Sequence, residues 1–362
     1  MAGTSLLDTI FRRRKKKTTE FTTDYAVFEF AFDTIRAATN EFSDLVGRGG
    51  FSSVFKGTLQ SGQEIAVKRL SENSNGTERH FHNEVELLSK LRHKNLINLL
   101  GFCTKRDQNY LVYEFMPNSS LDRFIFDPQR ASALNWEMCR NIVQGIARGL
   151  RYLHEESGLW VVHRDMKPQN ILLDSDLKPK IAGFELARMM QQGENEAETT
   201  IIAGTIGYLD PEYMRSGRVS IKSDVYAFGV TILTIISRRK AWSVGEDAGL
   251  VAYVMRLWNR GEAINVIHEV MRAEEREDSI SEILRYIHIA LLCIDENAET
   301  RPSLDKVLNW FGCFSTPFPE PTIGNRFLEE EETNRFLAEE ETNWSLSPSL
   351  SPGHSSVTSP VS

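Results

Sequence analysis

The sequence predicts an α+β chain of two unequal parts, a small β-rich lobe followed by a larger helical one. Between residues 45 and 116, β-prone segments (Val54-Phe55, Glu64 to Lys68, Asn109 to Phe115) surround one helical pattern, Glu78 to Leu91. Between 118 and 312, apolar residues recur three and four apart over Trp136 to His154, Ser223 to Ile236, Gly249 to Trp258 and Ser281 to Leu292. The 362 residues, 41% hydrophobic and 25% charged, have ordinary globular composition and are numerous enough to bury a core. Two such layers packed together leave a cleft, and that cleft is the default ligand site.

The elements follow in order. Residues 1–24 are polar and carry six consecutive basic side chains, Arg12 to Lys17, so they read as a disordered basic arm. That run suits a solvated arm, attraction to an anionic membrane leaflet, or nuclear import. Residues 25–42 contain a lead-in helix, with apolar positions three or four apart in Phe32 to Phe42. Residues 43–312 form the globular part, divided into 43–116 and 118–312. From 313 to 362 the chain is acidic and then rich in Ser and Pro; Asn325-Arg326-Phe327-Leu328 recurs as Asn334-Arg335-Phe336-Leu337. Two copies are too few for a solenoid, so this reads as a disordered tail, or as a segment for partner docking or phosphorylation.

Charge and cysteine usage exclude several functions. A net charge of −8 argues against a protein devoted to neutralising nucleic-acid phosphates. Cys103, Cys139, Cys293 and Cys313 are far apart with no zinc-ligand spacing, and read as reduced, mostly buried thiols. The apolar stretch from Leu6 to Phe11 is interrupted by Asp8 and is far shorter than the ~20 residues a membrane span needs. The expectation is a soluble intracellular protein.

Chemistry is concentrated in three segments. Val46-Gly47-Arg48-Gly49-Gly50-Phe51-Ser52-Ser53-Val54 lies between β-prone residues; alone, a G-x-G marks only a tight turn. Fourteen residues on, Ile65-Ala66-Val67-Lys68 places an ammonium within a strand, where burial is costly unless it is paired. Glu84 on the following helix is the candidate partner. The third segment, His163-Arg164-Asp165-Met166-Lys167-Pro168-Gln169-Asn170, is the decisive one. It supplies a carboxylate (Asp165) to accept a hydroxyl proton, an ammonium (Lys167) to neutralise phosphate charge, and an amide oxygen (Asn170) for a metal.

On these residues the sequence resembles the eukaryotic protein kinases. The resemblance runs over about residues 43–312, through Asp210-Pro211-Glu212 in the place of A-P-E, Asp224-Val225-Tyr226-Ala227-Phe228-Gly229, and Arg301-Pro302-Ser303. It implies the two-lobed protein-kinase fold and ATP bound with magnesium or manganese. The nucleotide would be held by Val46, Gly47, Gly49, Gly50, Phe51, Val54, Ala66, Lys68, Glu84, Glu114 and Met116, with Tyr113 as gatekeeper. It further implies that Glu212 pairs with Arg301 and that Asp224 braces the His163 loop. The phrasing of Phe32 to Phe42, of Leu111 to Leu121 and of Ser223-Asp224-Val225-Tyr226 is similar to that of the plant cysteine-rich receptor-like protein kinases. With neither a cysteine-rich ectodomain nor a membrane helix, the chain resembles a cytoplasmic Ser/Thr-type member.

The pattern breaks most sharply at one place. Where the family has D-F-G, this chain has Gly183-Phe184-Glu185, so the carboxylate that would hold metal against the phosphates is missing and Asn170 alone remains. Metal neutralisation is worth several kcal/mol at the transition state. Glu185 is acidic but displaced, by roughly 7 Å if the segment is extended. Ser52 in place of the third loop glycine is a milder change. Thr199, Thr200 and Thr205 are candidate phosphosites, with Arg164 placed to clamp a phosphate. The expected function is therefore a catalytically impaired kinase-family signalling protein that associates with, and is phosphorylated by, a related receptor kinase. The alternatives are an active Ser/Thr kinase acting on a protein substrate and a nucleotide-independent scaffold.

Overall fold

The computed structural model describes residues 27–50, 52–71, 75–106, 108–190, 196–199, 201–243, 249–313 and 316–322. The basic run 12–17, Phe51, Thr200 and the acidic repeats from 323 onward lie outside the described residues.

The N-terminal lobe is a six-stranded sheet with one helix across it. Strand β1 (Phe28–Glu29) is followed by helix α1 (Phe32–Ala38), strands β2 (Leu45–Gly49), β3 (Ser52–Thr58) and β4 (Glu64–Leu70), helix α2 (Asn75–Leu88), and strands β5 (Leu99–Lys105) and β6 (Gln108–Glu114). The spatial order is β1-β5-β6-β4-β3-β2, antiparallel except where β1 runs parallel to β5. Neither β1 nor β5 stands out in the sequence. The former is two residues long, and Gly101 interrupts the latter.

The lead-in segment is less helical than its periodicity suggests. Helix α1 stops at Ala38 because the Thr39 hydroxyl donates to the Ile35 carbonyl at 2.8 Å and Asn40, Glu41 and Phe42 turn left-handed. The turn carries Phe42 onto Tyr110, ring centroids 5.6 Å apart and stacked, while Ile35 is fully buried on the sheet among Ile65, Val67 and Val112. The segment thus caps the outer face of the lobe.

The second lobe is helical, as expected. Its main helices are α3 (Trp136–Arg151), α4 (Ile221–Ser237), α5 (Leu250–Asn259), α6 (Glu277–Cys293) and α7 (Leu304–Gly312). Asn135 caps α3 by accepting from the Met138 N–H at 3.0 Å, and the buried positions Cys139, Ile142, Val143, Ile146 and Leu150 follow the 3.6-residue period. Helix α4 is buried on nearly every side. Its threonine hydroxyls are satisfied within the helix, Thr231 donating to Ala227 and Thr234 to Val230, which is why polar residues are tolerated in its apolar run. At Gly229 a side chain would strike Cys293 and the Ala290 carbonyl, so the glycine permits α4 and α6 to pack closely. Trp136, Tyr286 and Phe311 tie α3, α6 and α7 together, Trp136 meeting Tyr286 edge-on at 4.9 Å and Phe311 stacking on Tyr286 at 4.2 Å.

One hydrophobic cluster runs from Leu70, Phe81 and Leu88 in the first lobe through Phe184 to Phe228 in the second. The lobes are also joined through the backbone, Ile97 donating to the Ile181 carbonyl and Ile181 to that of Asn95, each at 2.9 Å.

Past residue 312, residues 316–322 lie against α6 and α7. Phe318 meets the His288 ring edge-on at 4.4 Å and lies under the Arg285 guanidinium at 4.4 Å, and Arg285 donates to the Cys313 carbonyl. Aromatic burial and capture of carbonyls by a cation outweigh the entropy of this short stretch. Cys103, Cys139 and Cys293 are buried, and burial pushes their thiols up to about 11, about 12 and about 12, so they are inert. Cys313 is exposed. Among the described residues no helix is long and apolar enough to cross a membrane.

Candidate active site

The cleft is roofed by the β2–β3 hairpin. Gly47 pairs with Val54 and Gly49 with Ser52 across it, and the Val46 carbonyl accepts from Arg123 of the second lobe at 3.2 Å. Ala66 and Lys68 lie on β4, with Lys68 registered between Val54 on β3 and Leu111 on β6. At the back of the cleft Tyr113 is buried with its hydroxyl beside Glu84; burial, reinforced by that carboxylate, pushes the phenol well above its ordinary value. Glu114 ends β6, and its carboxylate accepts from the Asn98 N–H at 2.8 Å and pairs with Lys180 at 3.0 Å, so its side chain is structural. Met116 follows with its side chain buried.

Lys68 is partly buried and has two acidic partners. Its ammonium donates to Glu84 Oε2 at 3.1 Å, and it also makes an ion pair with Glu185. Glu84 is 2% exposed and Glu185 29%. Burial alone would lower the Lys68 ammonium, but Glu185 and then Glu84 outweigh it and hold it well above its ordinary value. For Glu185, burial opposes ionisation but Lys68 prevails and holds the carboxyl down to about 2. Glu84, more deeply buried and sharing its cation, is pushed up by burial.

The Lys68–Glu84 pair is legible from spacing. The second partner depends on a turn that spacing does not show. Gly183 is left-handed (φ 80°, ψ 54°), and Phe184–Leu186 forms a 3-10 turn, so the segment folds back instead of extending. Asn83 of α2 fixes this turn by donating to the carbonyls of Ala187 at 2.7 Å, Phe184 at 3.0 Å and Glu185 at 3.2 Å. Phe184 is fully buried and meets His163 edge-on at 4.9 Å.

The second cluster surrounds Asp165. Its Oδ1 accepts from the Thr205 hydroxyl at 2.6 Å, and its Oδ2 lies 2.9 Å from both Lys167 Nζ and Asn170 Nδ2. Lys167 also donates to the Thr205 hydroxyl at 2.6 Å. A carboxylate and an ammonium therefore converge on one hydroxyl, an arrangement able to accept a proton from it and to neutralise charge developing on its oxygen. The loop is held as anticipated by Asp224, which accepts from the His163 N–H at 2.7 Å and the Arg164 N–H at 2.8 Å. Burial would raise the Asp224 carboxyl, but His154, 2.9 Å away, and the loop amide keep it below its ordinary value. A groove of about 640 Å³ adjoins Thr205, lined among others by Asp122, Arg123, Arg130, Lys240 and Trp242.

Two expectations are not met. Arg301 pairs with Asp210 at 2.8 Å, not with Glu212. Asp210 sits at the start of the Pro211–Ser216 helix, facing the buried guanidinium, whereas Glu212 points toward Arg218 at 3.6 Å and the Ala298 N–H at 3.3 Å. Nor is Arg164 brought to Thr199. It donates to the Tyr213 hydroxyl at 2.6 Å and the Leu186 carbonyl at 3.2 Å, while Thr199 bonds with Ile201. Thr205, read as a phosphosite, has its hydroxyl engaged by Asp165 and Lys167 and is accessible to another enzyme only if the segment opens.

The residues at 183 and 170 do not fit the magnesium or manganese that the family implies. Gly183 offers no carboxylate, and the space beside it is filled by Asn170, whose Cγ lies 2.6 Å from where a Cβ at 183 would stand. The Asn170 amide is turned onto Asp165, and among the described residues no three His, Cys, Asp or Glu side chains converge to hold a metal. Lys68 is already neutralised.

Comparison with known proteins supplies the family. The family model described as protein kinase domain matches residues 41–311. Over all 362 residues the chain is 78% identical to cysteine-rich receptor-like protein kinase 45 of Arabidopsis thaliana, covering 99% of that protein. It is 45% identical over 296 residues to kinase 38 of the same series and 47% over 310 residues to kinase 34, both from Arabidopsis thaliana. These alignments take in 81% and 82% of this chain but only 45% and 46% of those relatives. The β-sheet lobe, the helical lobe and the His163 loop between them are thus those of a protein kinase, and the chain belongs to the cysteine-rich receptor-like protein kinase family.

Proposed function

We propose that this chain is a cytoplasmic Ser/Thr-kinase-type signalling protein in which phosphoryl transfer is impaired, acting by association with, and phosphorylation by, a related receptor-like kinase. The observation that carries the reading is the Gly183-Phe184-Glu185 turn. It removes the metal-binding carboxylate and sets a different one on Lys68. At ~1.4 kcal/mol per factor of ten, losing several kcal/mol of metal stabilisation slows transfer by orders of magnitude. Attraction of residues 12–17 to an anionic leaflet would bring the chain to the membrane face where a receptor kinase's cytoplasmic domain lies.

A second reading, an active Ser/Thr kinase, is favoured by the intact cluster of Asp165, Lys167 and Thr205. The two are separated by assaying the full chain, Asp165→Asn and Gly183→Asp with radiolabelled ATP and either magnesium or manganese. The expected result is wild-type incorporation no greater than that of Asp165→Asn. Robust incorporation that Asp165→Asn abolishes overturns the impaired reading. Incubating the Asp165→Asn protein with the active cytoplasmic domain of a related receptor kinase, followed by phosphosite mapping, tests the receiving role; absence of transfer to this chain counts against it.

A further inference from the structure

The phosphate end of the cleft already contains an anion belonging to the protein itself. Glu185 and Glu84 both pair with Lys68, and in the second cluster Asp165 pairs with Lys167, so each ammonium already has a carboxylate of the chain. The arrangement is built rather than incidental. Asn83 donates to the carbonyls of Phe184, Glu185 and Ala187, and left-handed Gly183 sets the direction of the turn. A triphosphate entering here would compete with Glu185 for Lys68 and meet a like charge, an unfavourable juxtaposition in a partly desolvated site.

The opposite end of the cleft carries no such obstacle. Val54 and Ala66 on the sheet and Leu172 below it are half-buried and apolar. The segment after β6 is fastened to the second lobe, Leu173 donating to the Ser119 carbonyl at 2.8 Å and Ser119 to that of Met116 at 3.0 Å. Among the described residues nothing accepts from the Met116 N–H. Apolar walls with a few backbone polar groups suit a flat heteroaromatic ring.

We infer that Glu185 is a specificity-determining residue that makes this cleft a site for uncharged purine nucleosides in preference to nucleoside triphosphates. The inference deepens the impaired-kinase reading and rests on it. Glu185 occupies Lys68 in place of phosphate, so each added phosphate weakens binding instead of strengthening it.

The test is calorimetric titration of the full chain with adenosine, AMP, ADP and ATP, the last with and without magnesium. Affinity is expected to fall along that series, with adenosine at least tenfold tighter than ATP. In Glu185→Gln, the ratio of ATP to adenosine affinity is expected to rise at least tenfold, about 1.4 kcal/mol. Affinity that rises with phosphate number overturns the inference in the wild type alone, whatever the folding of the variant. So does failure to bind adenosine at millimolar concentration, or a folded Glu185→Gln protein with an unchanged ratio. The transfer assay separates the two claims: incorporation abolished by Asp165→Asn, alongside preference for adenosine, defeats the impaired reading and leaves the specificity of the cleft standing.

Discussion

Replacing Asp210 with Ala removes the only counter-charge seen on a fully buried guanidinium among the described residues. The Arg301 side chain is 0% exposed and that of Asp210 2%. Arg301 would retain the carbonyls of Asp295 at 2.8 Å and Lys222 at 3.1 Å, but no anion. The same substitution deprives the Pro211–Ser216 helix of its N-cap acceptor and leaves the Ser223 hydroxyl unpaired. Breaking a buried pair from one side costs about 3–5 kcal/mol, and losing a cap adds about 1. In a domain of this size each kcal/mol moves the midpoint by about 2–4 °C, so Tm should fall by roughly 8–24 °C. Glu212→Gln provides the contrast. Its partner Arg218 is 48% exposed at 3.6 Å, and such pairs are worth about 0–1 kcal/mol. Thermal unfolding followed by circular dichroism on both variants decides the matter. Replacing Arg301 as well, in Asp210→Ala/Arg301→Met, should recover part of the loss, because the stranded charge is gone. A Glu212→Gln variant as unstable as Asp210→Ala would show that the anchor was assigned to the wrong carboxylate.

Three further outcomes are expected. Asn83→Ala leaves three carbonyls around the Phe184–Leu186 turn without their side-chain donor, and should cost about 1–3 kcal/mol and speed amide exchange at residues 184–187. Phe184→Ala empties a fully buried site between the lobes and should cost about 3–5 kcal/mol in urea unfolding; a loss under 1 would mean the two lobes do not share that packing. Glu185, held down to about 2, contributes stability that is present above its ordinary value and lost as pH falls toward that figure, while raised Lys68 contributes fully below its own ordinary value and loses it only at higher pH. The difference in unfolding free energy between wild type and Glu185→Gln should therefore be flat between about pH 5 and pH 9 and shrink below about pH 4.

What was legible in the sequence was chemistry fixed by spacing. The His163 loop is a contiguous motif, and its residues are brought together by one short turn; Lys68 and Glu84 lie on a strand and the next helix, where regular geometry carries one to the other. What was not legible depended on irregular backbone. Treating residues 183–185 as extended places Glu185 well away from Lys68, whereas a left-handed glycine and a 3-10 turn put it there. Asn83 carries no motif and acts only through carbonyls a hundred residues distant. Asp210 is a visible departure from A-P-E, but the spacing alone does not say whether Arg301 faces it or Glu212 two residues on. The signal was present in the added carboxylate itself, since a buried arginine takes whichever anion approaches along its fork.

The two departures in the Gly183-Phe184-Glu185 triplet act as one change. Against D-F-G, a carboxylate is lost at the first position and gained at the third, so the charge of the segment is conserved while its location moves from the metal position to Lys68. Restoring the first position alone is therefore an incomplete repair. Asp tolerates the left-handed backbone better than most residues, but its Cβ would stand 2.6 Å from Asn170 Cγ, forcing Asn170 off Asp165, and Glu185 would still hold Lys68. Glu185→Gly alone leaves Lys68 with Glu84 only but supplies no metal ligand. Only the pair of substitutions both provides the ligand and releases the ammonium, so Gly183→Asp/Glu185→Gly should gain more phosphoryl transfer than the two single variants together, read as incorporation abolished by Asp165→Asn. A double variant no better than Gly183→Asp would show that Glu185 does not obstruct the phosphates, and that the missing carboxylate accounts for the impairment by itself.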